Sequence, residues 1–183
     1  MNKVQKFLSE DLAEFLYIET LTCKEHDIDK YQVLNAKIGY NNPNMIRLLT
    51  QLKPKVEEAY GKRLHETYAF FRVYGEGQEL PPHKDRPACE VSVTICLGFH
   101  SEYLWPIYVE GVPYAMKPGE GVIYKGCEQS HWREPFRKVQ EHDEKIIWSQ
   151  VFLHYIEAGG QYDPEHKWDA LNKKYKQEGE KDE

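Results

Sequence analysis

Pro82-His83-Lys84-Asp85-Arg86-Pro87-Ala88-Cys89-Glu90-Val91-Ser92-Val93 is the stretch on which the fold turns. Side chains two apart in an extended strand project from the same face, so His83 and Asp85 can reach one metal together while Lys84 points away. Pro81-Pro82 disfavours helix and feeds the segment in as extended chain. Much later, Ser130-His131-Trp132-Arg133 offers another histidine. With His131 arriving from a different strand, the set becomes two imidazoles and one carboxylate on one face of an ion. The opposite positions stay open, an arrangement that suits non-haem Fe(II). His142 and His154 compete with His131 for the third place. His142 lies between acidic residues in an apparent loop, and His154 shares a strand face with Phe152 and Ile156, as a satisfied core histidine would.

Downstream of the motif the pattern is β. Val91, Val93, Ile95 and Leu97 alternate with Glu90, Ser92, Thr94 and Cys96, which predicts a strand with one apolar face; Ser92 and Thr94 are then candidates for polar lining of a barrel interior. Ile107-Tyr108-Val109 and Tyr114-Ala115-Met116 flank a turn at Glu110-Gly111-Val112-Pro113. Pro118-Gly119-Glu120-Gly121 turns the chain into Val122-Ile123-Tyr124, and Ile146 to Ile156 is aromatic and β-branched. Upstream, Tyr68 to Tyr74 reads as a strand broken by Gly75 and Gly77. Earlier still the period is helical. Leu8, Leu12, Phe15 and Leu16 predict a packing helix from Leu8 to about Leu21. Met45, Leu48, Leu49, Leu52, Val56 and Ala59 predict a second, starting at an Asn44 cap and ending at Gly61, with Pro54 expected to kink or split it. Residues 22 to 43 are mixed and polar, and Gly39-Tyr40-Asn41-Asn42-Pro43 marks a loop. After Gly159-Gly160 a short helix from Pro164 to about Tyr175 and a polar tail are expected.

The expected fold class is mainly β with N-terminal helices, α+β overall. One domain spans residues 1–162, with a helical part over 1–65 and a β-barrel core over 66–157; residues 163–183 form the short helix and tail. The 183 residues are enough for one domain with a real core. A net charge of −6 disfavours nucleic acid as a partner. No apolar run approaches a membrane span, and Glu10, Asp11 and Glu14 interrupt what a signal peptide would need. The four cysteines are scattered and read as reduced thiols, which makes the cytoplasm the expected compartment.

Tyr74-Gly75-Glu76-Gly77, the Pro82 to Val93 stretch, the Pro118-Gly119 turn, His131 and the last strand, taken in order over roughly residues 45 to 156, resemble the Fe(II)- and 2-oxoglutarate-dependent oxygenases, particularly prolyl-4-hydroxylase-like members. The resemblance implies a double-stranded β-helix, a jelly-roll or cupin-like barrel with iron near one open end. It implies His83, Asp85 and His131 as iron ligands and catalytic residues, and Tyr74 as a cosubstrate contact. It also implies Fe(II), with 2-oxoglutarate and O2 as cosubstrates and ascorbate admissible as a reductant. The reaction implied is hydroxylation of an unactivated C–H bond with release of succinate and CO2. A prolyl residue of a peptide or protein leads the substrate list, with free amino acids and small metabolites served by the same core.

The chain departs from that pattern at one point. The family commonly places an Arg or Lys about ten residues after the last histidine to hold the far carboxylate of 2-oxoglutarate. Here the interval holds Gln140, Glu141 and His142. Arg133, two residues past His131 and so on the same strand face, comes first as the replacement, and Lys145 second. Arg72 and Arg86 flank the site as possible substrate contacts, and Trp105 and Trp132 as pocket or core residues. The rival reading is a cupin-type barrel that is non-enzymatic or binds zinc, since two histidines and an aspartate hold Zn(II) as well.

Overall fold

The computed structural model describes residues 2–139, 145–163 and 165–168. Its eleven strands are β1 (Gln5–Lys6), β2 (Asp27–Ile28), β3 (Lys37–Tyr40), β4 (Leu64–Gly75), β5 (Leu80–His83), β6 (Val91–His100), β7 (Ile107–Val109), β8 (Val112–Tyr114), β9 (Glu120–Tyr124), β10 (His131–Arg133) and β11 (Ile147–Glu157). The helices are α1 (Glu10–Thr22) and α2 (Pro43–Tyr60). A seven-stranded sheet runs β1-β9-β6-β11-β4-β3-β2 and faces a four-stranded sheet ordered β5-β10-β7-β8. Every pairing is antiparallel. This is the double-stranded β-helix, a jelly-roll barrel.

The large sheet is buried on both faces. Val91, Val93, Ile95 and Leu97 of β6 join Val151, Leu153 and the helical residues Leu16, Met45, Leu49 and Val56 in one apolar layer. On the inner face, Cys96, Val122, Tyr124 and Trp148 pack with Ile107 and Val109 of the small sheet in another. The single apolar face expected of the Glu90 to Leu97 segment is therefore corrected. Ser92, Thr94 and Cys96 are buried as well, because the barrel closes over them.

Further expectations are corrected. The segment 22–43 contains β2 and β3, and Gly39-Tyr40 is strand, so the part over 1–65 adds three strands to the large sheet besides its helices. In α1 the buried residues are Ala13, Leu16 and Thr20, while Leu12 and Phe15 are exposed. The helix docks through small and hydrogen-bonding side chains: Thr20 Oγ1 lies 2.7 Å from Ser149 Oγ, and the Tyr17 ring fills the space where a Cβ on Gly98 would sit. Finally, α2 is capped by Asn42 rather than Asn44, whose amide donates to the Asn42 side chain. Pro54 does not split α2 in two: the helix runs on to Tyr60, and because Pro54 is exposed the carbonyl deprived of its helical partner can turn to water. Gly61 ends the helix in the left-handed conformation, as the sequence requires. No helix among the described residues is long and apolar enough to cross a membrane. The predicted helix from Pro164 to Tyr175 falls almost wholly outside the described residues, as do Gln140, Glu141 and His142.

Candidate active site

Antiparallel pairing of β5 with β10 sets His83 directly across from His131, with ring centroids 4.2 Å apart. Beyond the end of β5, the Asp85 amide donates to the Gly126 carbonyl at 2.8 Å, which pins the loop against the turn after β9. There is no room at Gly126 for a side chain, since a Cβ would meet the Cys89 carbonyl and Asp85 Oδ2. Asp85 Oδ1 then stands 3.6 Å from His83 Nε2 and 3.5 Å from His131 Nε2, and the three groups could hold one metal ion.

Each imidazole is held from behind in the same way. His83 Nδ1 is 2.8 Å from the Pro81 carbonyl, and His131 Nδ1 is 3.0 Å from the Gln129 carbonyl. A carbonyl can only accept, so each Nδ1 carries a proton and each Nε2 is the ring atom turned toward Asp85. Fixing the Nδ1 side in this way leaves Nε2 as the atom available to a metal. Burial pushes the Asp85 carboxyl upward, but His131 and His83 outweigh it and hold the group well below the usual carboxylate range. Asp85 is ionised, and its second oxygen accepts from Ser92 Oγ at 3.0 Å.

Ser92 also meets His154 Nδ1 at 3.0 Å, so His154 is satisfied in the core as its sequence context predicts, yet it lines the same cavity as Asp85. Burial pushes its pKa down to about 4. The unfolded chain, with a histidine near ~6.5, binds a proton that the folded chain refuses between those values. Stability is thus complete above the unfolded value and is lost as pH falls through the folded one. In metal-free protein, urea titrations should show a loss on the order of 3 kcal/mol between pH 7 and 4. His154→Gln should flatten the profile above pH 4.5; an unchanged slope there refutes the assignment.

The cavity beside the ligands measures about 220 Å³. Its walls include Tyr40, Tyr68, Phe70, Tyr124, Phe152 and Leu80, with Arg72 and Gln32 among its polar lining. Arg72 Nη2 donates to Asp29 Oδ2 at 2.7 Å and to Gln32 Oε1 at 2.9 Å, and Nη1 to Tyr74 Oη at 3.3 Å. Burial acts to raise Asp29. The amides of Tyr31, Gln32 and Val33 together with Arg72 overcome it, so Asp29 stays ionised. Tyr74 is thereby buried behind Arg72 and edge-on to Trp105.

Arg133 faces inward with His131, but it is sealed in the core at 1% exposure. Its guanidinium lies over Trp105 at 4.6 Å and Trp148 at 5.5 Å. Its hydrogen-bond partners are neutral: the Trp105 carbonyl at 2.6 Å and the Gln150 side-chain oxygen. Among the described residues no carboxylate is paired with it. Burial lowers its pKa to about 10. Around it, Arg133 Nε, Gln150 Nε2 and Trp148 Nε1 are buried donors with nothing to donate to. Such groups each cost about 1–3 kcal/mol unless a ligand meets them. A buried cation ringed by idle donors fits a carboxylate. Lys145, by contrast, is exposed just ahead of β11; neither it nor Arg133 is among the residues lining the cavity. Trp105 packs on Arg133, and Trp132 stacks on Tyr108 outside the cavity.

Sequence reasoning missed most of the cavity wall. Tyr40 comes from a stretch read as loop and Gln32 from one read only as mixed and polar, and nothing local signals that Asp29 pairs with Arg72 across 43 residues. Phe70 and Phe152 were visible only as strand residues, while strand alternation did foretell Ser92 and Thr94 as interior lining.

No family model matches the sequence, and no curated protein sequence does either. The structure, however, is similar to those of many solved proteins. A prolyl-4-hydroxylase from Pseudomonas putida matches with a TM-score of 0.62 at 17% identity, covering 84% of this chain and 91% of its own. A viral collagen prolyl hydroxylase from Paramecium Bursaria Chlorella virus-1, solved with 2-oxoglutarate, matches with a TM-score of 0.57 at 14% identity, covering 84% and 96%. EctD from S. alaskensis, solved with 2-oxoglutarate and 5-hydroxyectoine, gives 0.63 at 15% identity, covering 86% and 72%. The chain has the fold of the 2-oxoglutarate- and Fe(II)-dependent oxygenases.

Proposed function

We propose that residues 1–162 form the catalytic domain of an Fe(II)- and 2-oxoglutarate-dependent dioxygenase that hydroxylates an unactivated C–H bond. The observation that carries this reading is the pair of carbonyl-locked imidazoles, from strands far apart in sequence, turned with one ionised carboxylate toward a common point. Bound there, iron with 2-oxoglutarate and O2 would supply oxidative decarboxylation to succinate and CO2 coupled to C–H oxidation.

The protein's part is to hold and to exclude. His83, Asp85 and His131 would hold the metal on one face and leave the other open. Arg133, two residues along β10 from His131, lies one strand repeat away, or ~7 Å along the chain. That separation suits a five-carbon diacid with one end at the metal. The far carboxylate would meet Arg133 and the idle donors of Gln150 and Trp148, and Tyr74 closes the same region from β4. Lys145 is the weaker candidate because of its exposure. Aromatic walls at Tyr68, Phe70 and Phe152 keep bulk water from the reacting centre.

A zinc-holding or non-enzymatic barrel would have no use for a desolvated, uncompensated Arg133. A prolyl residue, of a peptide or protein, remains the leading substrate, with small molecules next, ascorbate as an auxiliary reductant and the cytoplasm as the setting. Nucleic acid is not an expected partner. Anaerobic protein given Fe(II) and 2-oxoglutarate should develop a weak visible metal-to-ligand charge-transfer absorption. A colourless complex would refute the oxygenase assignment.

A further inference from the structure

His83 and His131 are strand residues, each fixed from behind by a backbone carbonyl, but Asp85 has neither support. It lies past the end of β5, in the chain leading to the helical turn at Pro87–Cys89. The amide bond to Gly126 fixes its main chain and leaves the carboxylate free to turn about its own side-chain bonds. That turning decides which oxygen, and how many, would face an ion.

Ser92 limits it. Fully buried on β6, Ser92 pairs in register with His154 of β11 on one side and Tyr124 of β9 on the other, so its position is set by the middle of the large sheet. Its Oγ donates to Asp85 Oδ2 at 3.0 Å. The Cys89 carbonyl competes for the same hydrogen from 3.2 Å, but a carboxylate is the stronger acceptor. With that hydrogen committed, the hydroxyl meets His154 Nδ1, 3.0 Å away, as an acceptor. Main chain closes the approach from Gly126, where a Cβ would collide with both Asp85 Oδ2 and Ser92 Oγ. Oδ2 is thus occupied and walled in. Oδ1 is the oxygen left 3.6 Å from His83 Nε2 and 3.5 Å from His131 Nε2.

We propose that Ser92 is a positioning residue for the metal centre: by holding Oδ2 it presents Oδ1 as the single carboxylate ligand atom. The inference rests on His83, Asp85 and His131 binding one ion, as the oxygenase reading requires. A carboxylate free to chelate through both oxygens would take a further position on the metal, at the expense of those that cosubstrate and O2 need. Ser92 does for the aspartate what the Pro81 and Gln129 carbonyls do for the histidines. It does so from the opposite sheet, and so ties the ligand set to the part of the barrel buried on both faces.

The test is anaerobic titration with Co(II), which accepts nitrogen and oxygen donors as Fe(II) does and reports their geometry through its visible absorption. Ser92→Ala should bind Co(II) roughly 10–100-fold more weakly than the wild type and with a shifted spectrum. Circular dichroism of the metal-free variant should remain that of the barrel. Ser92→Thr and Ser92→Val share one shape and differ only in the hydroxyl, so together they isolate the hydrogen bond from packing. The Thr variant should bind Co(II) about tenfold more tightly than the Val variant. A merely structural serine would lower the melting temperature and leave the spectrum alone. Wild-type affinity and spectrum in Ser92→Ala, or equal affinity in the Thr and Val variants, overturns the proposal. A wild type that takes up no Co(II) removes the ligand set beneath it instead.

Discussion

Asp85→Ala, and likewise His131→Ala, should eliminate 2-oxoglutarate-dependent succinate formation while leaving a folded barrel. On the proposed ligand set, three protein groups among the described residues would hold the ion, each supplying one electron pair, so losing one would leave a site that no longer fixes the metal. The loss should exceed the roughly 10–100-fold typical of removing an outer partner of a metal ligand. Asp85 is the more telling position, because it is the only carboxylate of the set and the shared neighbour of both imidazoles. Circular dichroism should remain that of a β-barrel, since the apolar layers on either side of the large sheet contain neither residue. Succinate release at the wild-type rate by either variant would refute the ligand set.

Arg133→Met should separate cosubstrate binding from stability in an unusual way. Truncating one member of a buried, hydrogen-bonded charge pair costs about 2–5 kcal/mol of binding, or roughly 30- to 4,000-fold in dissociation constant. The affinity for 2-oxoglutarate should fall by that amount. In the absence of cosubstrate the guanidinium has no anion to face among the described residues, and replacing a buried charge by an apolar chain of similar length is often neutral or stabilising. The melting temperature of the metal-free variant should therefore hold or rise, moderated by the freed Trp105 carbonyl and Gln150 oxygen. A large drop in melting temperature with unchanged cosubstrate affinity would make Arg133 a structural residue.

The convergence of His83, Asp85 and His131 was legible in the sequence for a definite reason. Two of them lie within three residues of each other in chain that a double proline forces to be extended, and the alternation of β6 announces the sheet behind them. Arg133 was legible by the same two-residue rule, counted from His131. What the sequence hid was everything decided across long separations. β2 and β3 are two and four residues long at the edge of the large sheet, too short and polar for a pattern to stand out, yet they bring Tyr40 to the cavity and set Gln32 beside Arg72. The face of α1 was misjudged in part: Leu16 packs inward as expected, but beside it docking follows Ala13 and Thr20, whose small or hydroxyl side chains allow close approach, rather than Leu12 and Phe15. Gln140, Glu141 and His142, where the resembled family places a basic residue, were visible as a departure, and Arg133 as a substitute; the idle donors of Gln150 and Trp148 beside it were not.

Pro81 and Gln129, each two positions before its histidine, offer a carbonyl to the ring behind the ligand set. Braces of that kind fix the two rings independently of any ion. Were the set to hold one, loading and stripping it would be ordinary exchange on a finished scaffold, uncoupled from chain folding.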